Sequence, residues 1–442
     1  MKSIPISTAF LILLFFSFSC ADRKKDWSQK TEITKWPNDK NGAVSITYDD
    51  GIINQFTIAK PIMDSLGLPG TFFIITGKVE GSAKGKFIGR DQNTIIAETA
   101  TLKTDSTNFF ERASLIAFTG NTEAEEYHAN VGSLYEAGKV QEAYQLLDEG
   151  YEKIRNGRMR DTDDVVFHNN PVDSTTWEQY KSYAKQGHEI SSHTVTHPRL
   201  AVLDDANMLF ELEQSKADLA RFMGEAATFS AEGPYGTENE RVMEYAHKIY
   251  PALRNRMPED WLDEINRGSK SLPGNSTNEY VQWQRGALST TGIDQMKAWT
   301  DTVIAHDNIW LVLVIHGVED YGWEPLKREE LTQYFADLKG NEDSLWIATF
   351  GDVTKYIRER KAAKIRSTLE GNKISITLNS DLDSKVYNVP LTFKTYLPDD
   401  WNGANLIKKE GNNLLEVMSD SGGKYVFCSI PISEGKIQLA KV

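Results

Sequence analysis

Ala43-Val-Ser-Ile-Thr-Tyr-Asp-Asp-Gly51 is an apolar, β-branched run that stops at two adjacent carboxylates and a glycine. Such a run reads as a buried strand, and Asp-Asp-Gly as the loop that receives it. The figure recurs twice downstream. Gly187-His-Glu-Ile-Ser-Ser192 leads into His193-Thr-Val-Thr-His-Pro198, and Trp310-Leu-Val-Leu-Val-Ile315 ends at His316. Strand-like runs cover 43–48, 71–76, 188–192, 227–231, 309–316 and 345–350. Amphipathic stretches at 55–66, 175–186, 204–222 and 326–338 alternate with them, the second with Ser174 as its N-cap. This alternation predicts a parallel sheet or barrel with its reactive residues at the C-terminal ends of the strands.

The residue types at those strand ends point to one chemistry. Two imidazoles and a carboxylate hold a divalent metal ion and leave positions open for water. A second carboxylate and a third imidazole are then spare for proton transfer, as in a metal-assisted hydrolase. A helical zinc-protease motif does not fit: Thr194 stands where the glutamate would be, and Thr-Val-Thr disfavours a helix. Pro198 also pushes His197 towards extended backbone. Singly, each residue has a plain reading. Asp-Asp is a solvated turn, His193 or His197 a hydrogen-bonded structural side chain, His316 the cap of a buried strand, and Tyr235 a turn aromatic. The joint pattern carries the metal reading. His128, His168, His188, His247 and His306 show no partner pattern and read as structural or exposed.

Thr47-Tyr-Asp-Asp-Gly51, His193-Thr-Val-Thr-His197, Gly233-Pro-Tyr-Gly236 and Val314-Ile-His316 resemble the successive motifs of the polysaccharide deacetylases, carbohydrate esterase family four. The resemblance runs over residues 42–76 and 174–360. It implies a distorted, incomplete (β/α)7 barrel, with Asp49 as general base and Asp50, His193 and His197 as metal ligands. It implies His316 as general acid and the Tyr235 amide as an oxyanion donor, with Pro234 and Tyr235 touching substrate. One divalent cation follows, zinc first, with cobalt, nickel or manganese tolerated. The implied substrate is acetylated carbohydrate, with N-acetyl groups on amino-sugar polymers or oligosaccharides ahead of O-acetyl esters. One position departs from the pattern. Glu232 stands where the family often has an arginine that orients the base, and a carboxylate there would raise the base's pKa. Arg254 and Arg285 are the candidate substitutes, and a catalytically silent glycan-binding lipoprotein is the alternative that Glu232 motivates. Asp260-Trp261 superficially matches a further family motif.

The chain opens with Lys2, an apolar run over 9–18, and Ser19-Cys20. That run is too short to span a bilayer and reads as a signal peptide over 1–20, with Cys20 as a bacterial-lipoprotein lipidation site. The expected location is the cell envelope, with a lipid anchor in the membrane. Cys428 is the only other cysteine, so no disulfide framework exists. A net charge of −14 over 442 residues argues against nucleic acid and polyanionic ligands and is compatible with neutral or amino sugars.

The domain reading is a linker over 21–40, a barrel over 41–362 and a β-sandwich over 363–442. About 110 residues separate the second and third strands, far beyond an ordinary crossover, so 78–166 reads as a helical insertion. Within it, Leu134-Tyr-Glu-Ala-Gly-Lys-Val-Gln-Glu-Ala-Tyr144 resembles one tetratricopeptide-like hairpin. A single hairpin cannot bury its own face, so it should pack near the active-site rim or on a partner.

Overall fold

A computed structural model describes residues 24–160, 175–236, 239–258, 261–267, 273–408 and 411–442. The segment expected as a signal peptide, with Cys20, and also His168, Ser174 and Asp260, lie outside the described residues.

Gly42–Tyr48 forms the centre of a nine-stranded, wholly parallel sheet, and every residue of it is buried. From one edge the order is Ala252–Leu253, Ser230–Ala231, Glu189–Ser192, Thr71–Ile74, Gly42–Tyr48, Ile309–Ile315, Val281–Gly286 and Glu264–Arg267. Leu345–Ile347 pairs with the first half of Gly42–Tyr48. The sheet curls into a distorted barrel whose edges do not meet as strands. Instead the side-chain amides of Gln282 and Gln284 donate to the Arg254 carbonyl at 2.7 and 2.8 Å, drawing the edges together. Among the described residues nine strands take part, three of them only two or three residues long.

Register sets the site. Ile315 pairs with Tyr48, so Asp49 and His316 leave neighbouring strands side by side. Ile74 pairs with Ser192 and Ser192 with Ala231, so His193 and Glu232 emerge at the same end.

Local chemistry shortens three expected elements. The run 227–231 keeps only Ser230–Ala231, because Glu225–Thr228 winds into a 3-10 turn. The run 345–350 ends at Ile347, because Thr349 caps the helix Phe350–Ala362 by accepting from the Asp352 amide. The helix expected over 175–186 is Trp177–Lys185, and its cap is Thr176 rather than Ser174, in a capping box with Gln179.

The insertion is larger than one hairpin. Gln92–Glu98, Phe109–Ala117, Thr122–Glu136 and Val140–Arg155 share a core containing Phe109, Ile116, Val131, Leu147 and Tyr151, closed by Val202 of the barrel. At the C-terminus, a six-stranded and a four-stranded antiparallel sheet pack around Ile376, Phe393, Trp401, Val426 and Leu439. The segment expected as linker is partly strand. Lys25–Asp26 pairs with Lys364–Glu370 at the edge of one sheet, and Thr31–Ile33 pairs with Leu391–Tyr396 in the other. Cys428 is buried in that core.

Candidate metal and catalytic site

Asp50 follows the central strand with φ of 74°, and His197 lies in the next loop with φ of 68°; Thr194 and Tyr235 are also left-handed. Such backbone costs about 1–3 kcal/mol per residue and gathers where a structure holds functional groups in place. The loop carrying both histidines is pinned from behind. Glu211, fully buried on the helix Asp205–Met223, accepts from the amides of Val195 and Thr196 at 2.8 and 2.9 Å and from the Thr196 hydroxyl at 2.7 Å.

The loops bring three ligand-type atoms face to face. Asp50 Oδ1 lies 3.5 Å from His193 Nε2 and 3.3 Å from His197 Nε2. This oxygen is buried and makes no hydrogen bond of acceptable geometry. An N, N, O set around a shared gap suits a borderline divalent ion. The charge balance agrees. Asp49, Asp50 and Glu232 are buried against one buried guanidinium, Arg254, and these four groups sum to −2 with neutral imidazoles; the Lys78 ammonium, in the field of Asp50 and Glu125, offsets part of it. Burial disfavours a charged His193, yet Glu232, Asp50 and Asp49 around it outweigh burial and hold its pKa well above the usual histidine value. The site therefore favours positive charge at this point, which one dication would supply.

Around this set lies a hydrogen-bonded shell. Arg254 clamps Asp49 through both oxygens, Nη1 to Oδ1 at 2.6 Å and Nη2 to Oδ2 at 2.7 Å. Its Nη2 also lies 3.1 Å from Glu232 Oε1, which accepts from Asn255 at 2.8 Å. His193 Nδ1 donates to the Glu232 main-chain carbonyl at 3.1 Å, with Glu232 Oε2 2.8 Å away, so that nitrogen carries the proton and Nε2 faces Asp50. Asp49, His193 and Glu232 also cluster closely enough to suggest a second ion site. Arg254 already engages both Asp49 oxygens and Glu232 Oε1, so that cluster is the supporting shell.

His316 Nε2 lies 3.3 Å from Asp49 Oδ2, and the half-exposed Trp323 meets the His316 ring edge-on at 4.8 Å. On the other side, Tyr235 packs on His197 at 4.8 Å beneath the Arg199 guanidinium. Between them opens a cleft of about 850 Å³ that reaches Asp49, Asp50, both ligand histidines and His316.

The structure thus brings together Asp49, Asp50, His193, His197, Tyr235 and His316. Pro234 is buried and does not face the cleft. Arg254 takes the place of the arginine missing at Glu232, whereas Arg285 stacks on Trp283 and donates to the Gln284 carbonyl. Trp261 packs in the barrel core and against Tyr387, so the Asp260-Trp261 match does not bring Trp261 to the site. Sequence reasoning missed Glu211, Asn255 and Trp323. Only Trp323, seven residues beyond His316 in a Gly-rich turn, carried a local signal.

The sequence pattern of the polysaccharide deacetylase family matches residues 158–252, a span that contains both ligand histidines and the Pro-Tyr-Gly turn. A gellan lyase from a Bacillus species is 27% identical over 279 residues, covering 59% of this chain. The chain spans 11% of that protein's length. Among solved structures, a family 4 carbohydrate esterase from Streptomyces lividans, in complex with acetate, is 11% identical; the match covers 70% of this chain and 92% of that one, at a TM-score of 0.28. A polysaccharide deacetylase from Bacillus cereus is 10% identical, covering 70% and 91%, at a TM-score of 0.31.

Proposed function

Because this chain carries a polysaccharide deacetylase domain, we propose that it is a metal-dependent hydrolase that removes acetyl groups from acetylated carbohydrate, N-acetyl groups on amino-sugar chains ahead of O-acetyl esters. The observation that carries the reading is the convergence of Asp50, His193 and His197 on one gap, with Asp49 and His316 spare and 3.3 Å apart beside it.

A divalent cation held by those three ligands supplies Lewis acidity towards an acyl oxygen and acidifies water. The protein's own groups do the rest. Asp49, oriented by the bidentate Arg254, accepts the proton of the attacking water. The Tyr235 amide serves the developing oxyanion. His316 in its protonated form gives its proton to the departing nitrogen. Glu232, the motive for a silent binder, has a constructive place here: its carboxylate holds Arg254 and lies beside His193, whose tautomer its main-chain carbonyl fixes.

The test is acetate release from a panel of acetylated sugars by metal-loaded and by chelated protein. His193→Ala should lose the metal. Asp49→Asn and His316→Ala should keep it and lose turnover by roughly 10²–10⁴-fold each. Full metal occupancy in His193→Ala, or no acetate from any sugar by the metal-loaded protein, would overturn the proposal.

A further inference from the structure

One wall of the cleft does not come from the barrel. Glu125, Glu126, Ala129 and Asn130 all line it, and they belong to the insertion helix Thr122–Glu136. Their spacing of i, i+1, i+4 and i+5 places them on one helix face. The opposite face, with Ala124, His128 and Val131, is buried in the insertion or against the barrel.

This helix is fixed to the metal loop. His128 Nδ1 donates to the Ala113 carbonyl at 2.8 Å, and its Nε2 accepts from the Arg199 amide at 2.9 Å, two residues beyond His197. Arg199 pairs with Glu136 at 2.6 Å, and a Cβ on Gly132 would come within 2.3 Å of the Arg199 side chain. Burial holds the His128 pKa down at about 4, so this bolt stays neutral through the physiological range. The insertion wall is therefore a rigid part of the cleft.

Its chemistry is acidic. Glu125 is half-buried and accepts no hydrogen bond from any described residue. A dication offsets the −2 of Asp49, Asp50, Glu232 and Arg254, Arg199 is paired with Glu136, and Lys78 is shared between the fields of Asp50 and Glu125. Lys78 lies in the field of Glu125, and Arg199 and Arg267 line other parts of the cleft, but Glu125 and Glu126 accept no hydrogen bond from a described residue and so offer acceptors on this side.

Building on the deacetylase reading, we propose that the insertion helix is a specificity wall. Glu125, Glu126 and Asn130 receive the hydroxyl or ammonium donors of the sugar unit next to the one at the metal centre. They exclude glycans that carry a carboxylate, sulfate or phosphate there. The preferred substrate class is an uncharged or amine-bearing oligosaccharide. Like-charge juxtaposition at a binding surface acts chiefly as rejection of wrong partners, so the effect appears in discrimination more than in turnover.

The experiment compares wild type with a Glu125→Gln/Glu126→Gln double variant. The substrates are an N-acetylglucosamine oligomer and an acetylated oligosaccharide of equal length with alternating uronic acids. The variant should favour the uronate sugar by about tenfold or more in relative kcat/KM, carried by KM, with metal content unchanged. Unchanged discrimination would overturn the proposal. Calorimetric binding of the same two glycans, in unacetylated form, reads the wall without catalysis. Preference for the amine-bearing glycan over the uronate one in an inactive protein would support the wall while the deacetylase reading failed. Equal affinity for both glycans in wild type and variant would sink the wall alone.

Discussion

Glu232 shows how one residue changes meaning with its neighbours. Beside Asp49 alone, it would raise the base's pKa by like-charge repulsion. Arg254 stands between them, bidentate to Asp49 and 3.1 Å from Glu232. Burial pushes the Glu232 carboxyl up, but Arg254 and His193 outweigh it and hold its pKa below the usual carboxylate value. A depressed folded pKa adds stability above the ordinary carboxylate pKa, and this is lost as pH falls through the folded value. Replacing Glu232 by Gln removes the charge that supports His193 Nδ1–H. Metal affinity should fall by about 10–100-fold, measured by competition with a chromophoric chelator. The acidic limb of the rate–pH profile should not move upward, because Arg254 still clamps Asp49. Metal affinity equal to wild type would contradict the shell described for His193.

At the scale of elements, the strand-to-loop segment 189–197 depends on the helix that follows it, Asp205–Met223. Glu211 answers two loop amides and one hydroxyl, and burial pushes its pKa up to about 7. The protonated acid can serve the same three groups, its Oε2 accepting both amides and its O–H turning to the Thr196 hydroxyl. A carboxyl whose folded pKa is raised binds protons more tightly in the folded state. Its contribution to stability should therefore decline as pH rises from about 4.5 to 7 and then level off. Glu211→Gln mimics the protonated acid and should lose that slope while keeping the metal. Glu211→Leu strands two buried amides at about 1–3 kcal/mol each and should loosen the metal loop. Denaturant titrations at several pH values with metal titrations check both, and a Leu variant that binds metal as tightly as wild type would refute the positioning role.

The same element explains what the sequence could disclose. Asp49, His193 and His316 were legible because each ends a strand of strong β character, and chain order alone puts such ends on one rim. Arg254 was ambiguous because it follows a two-residue strand with no periodic signature. Val281–Gly286 and Glu264–Arg267 escaped because glutamines, an asparagine and arginines break their apolar runs; Gln282 and Gln284 are spent on closing the barrel. Glu211 and Glu125 sit on helices, where a glutamate ordinarily faces solvent, and only tertiary packing gives them their roles.

At the scale of the whole molecule, residues 24–36 tie three bodies together. Lys25–Asp26 and Thr31–Ile33 add a strand to each C-terminal sheet. Trp27 lies in the core between those sheets and donates from Nε1 to the Tyr396 carbonyl at 2.9 Å. Tyr356, on the last barrel helix, packs in that same core and donates to the Thr34 carbonyl at 3.0 Å. Trp36 is fully buried in the barrel core, edge-on to Tyr280 at 5.0 Å. A segment that pairs in both sheets and also enters the barrel core makes their unfolding cooperative. Trp27→Ala should cost roughly 3–5 kcal/mol by removing a buried aromatic, and the loss should fall on the C-terminal sheets. In calorimetry, wild type should melt in one transition. Trp27→Ala should split off an earlier transition for the sheets while the barrel, and with it metal binding, persists to higher temperature. If the variant instead melts in a single transition lowered as a whole, barrel and sheets form one folding unit. An unchanged melting temperature would show that the N-terminal strands contribute little to holding the sheets, and the staple would be refuted.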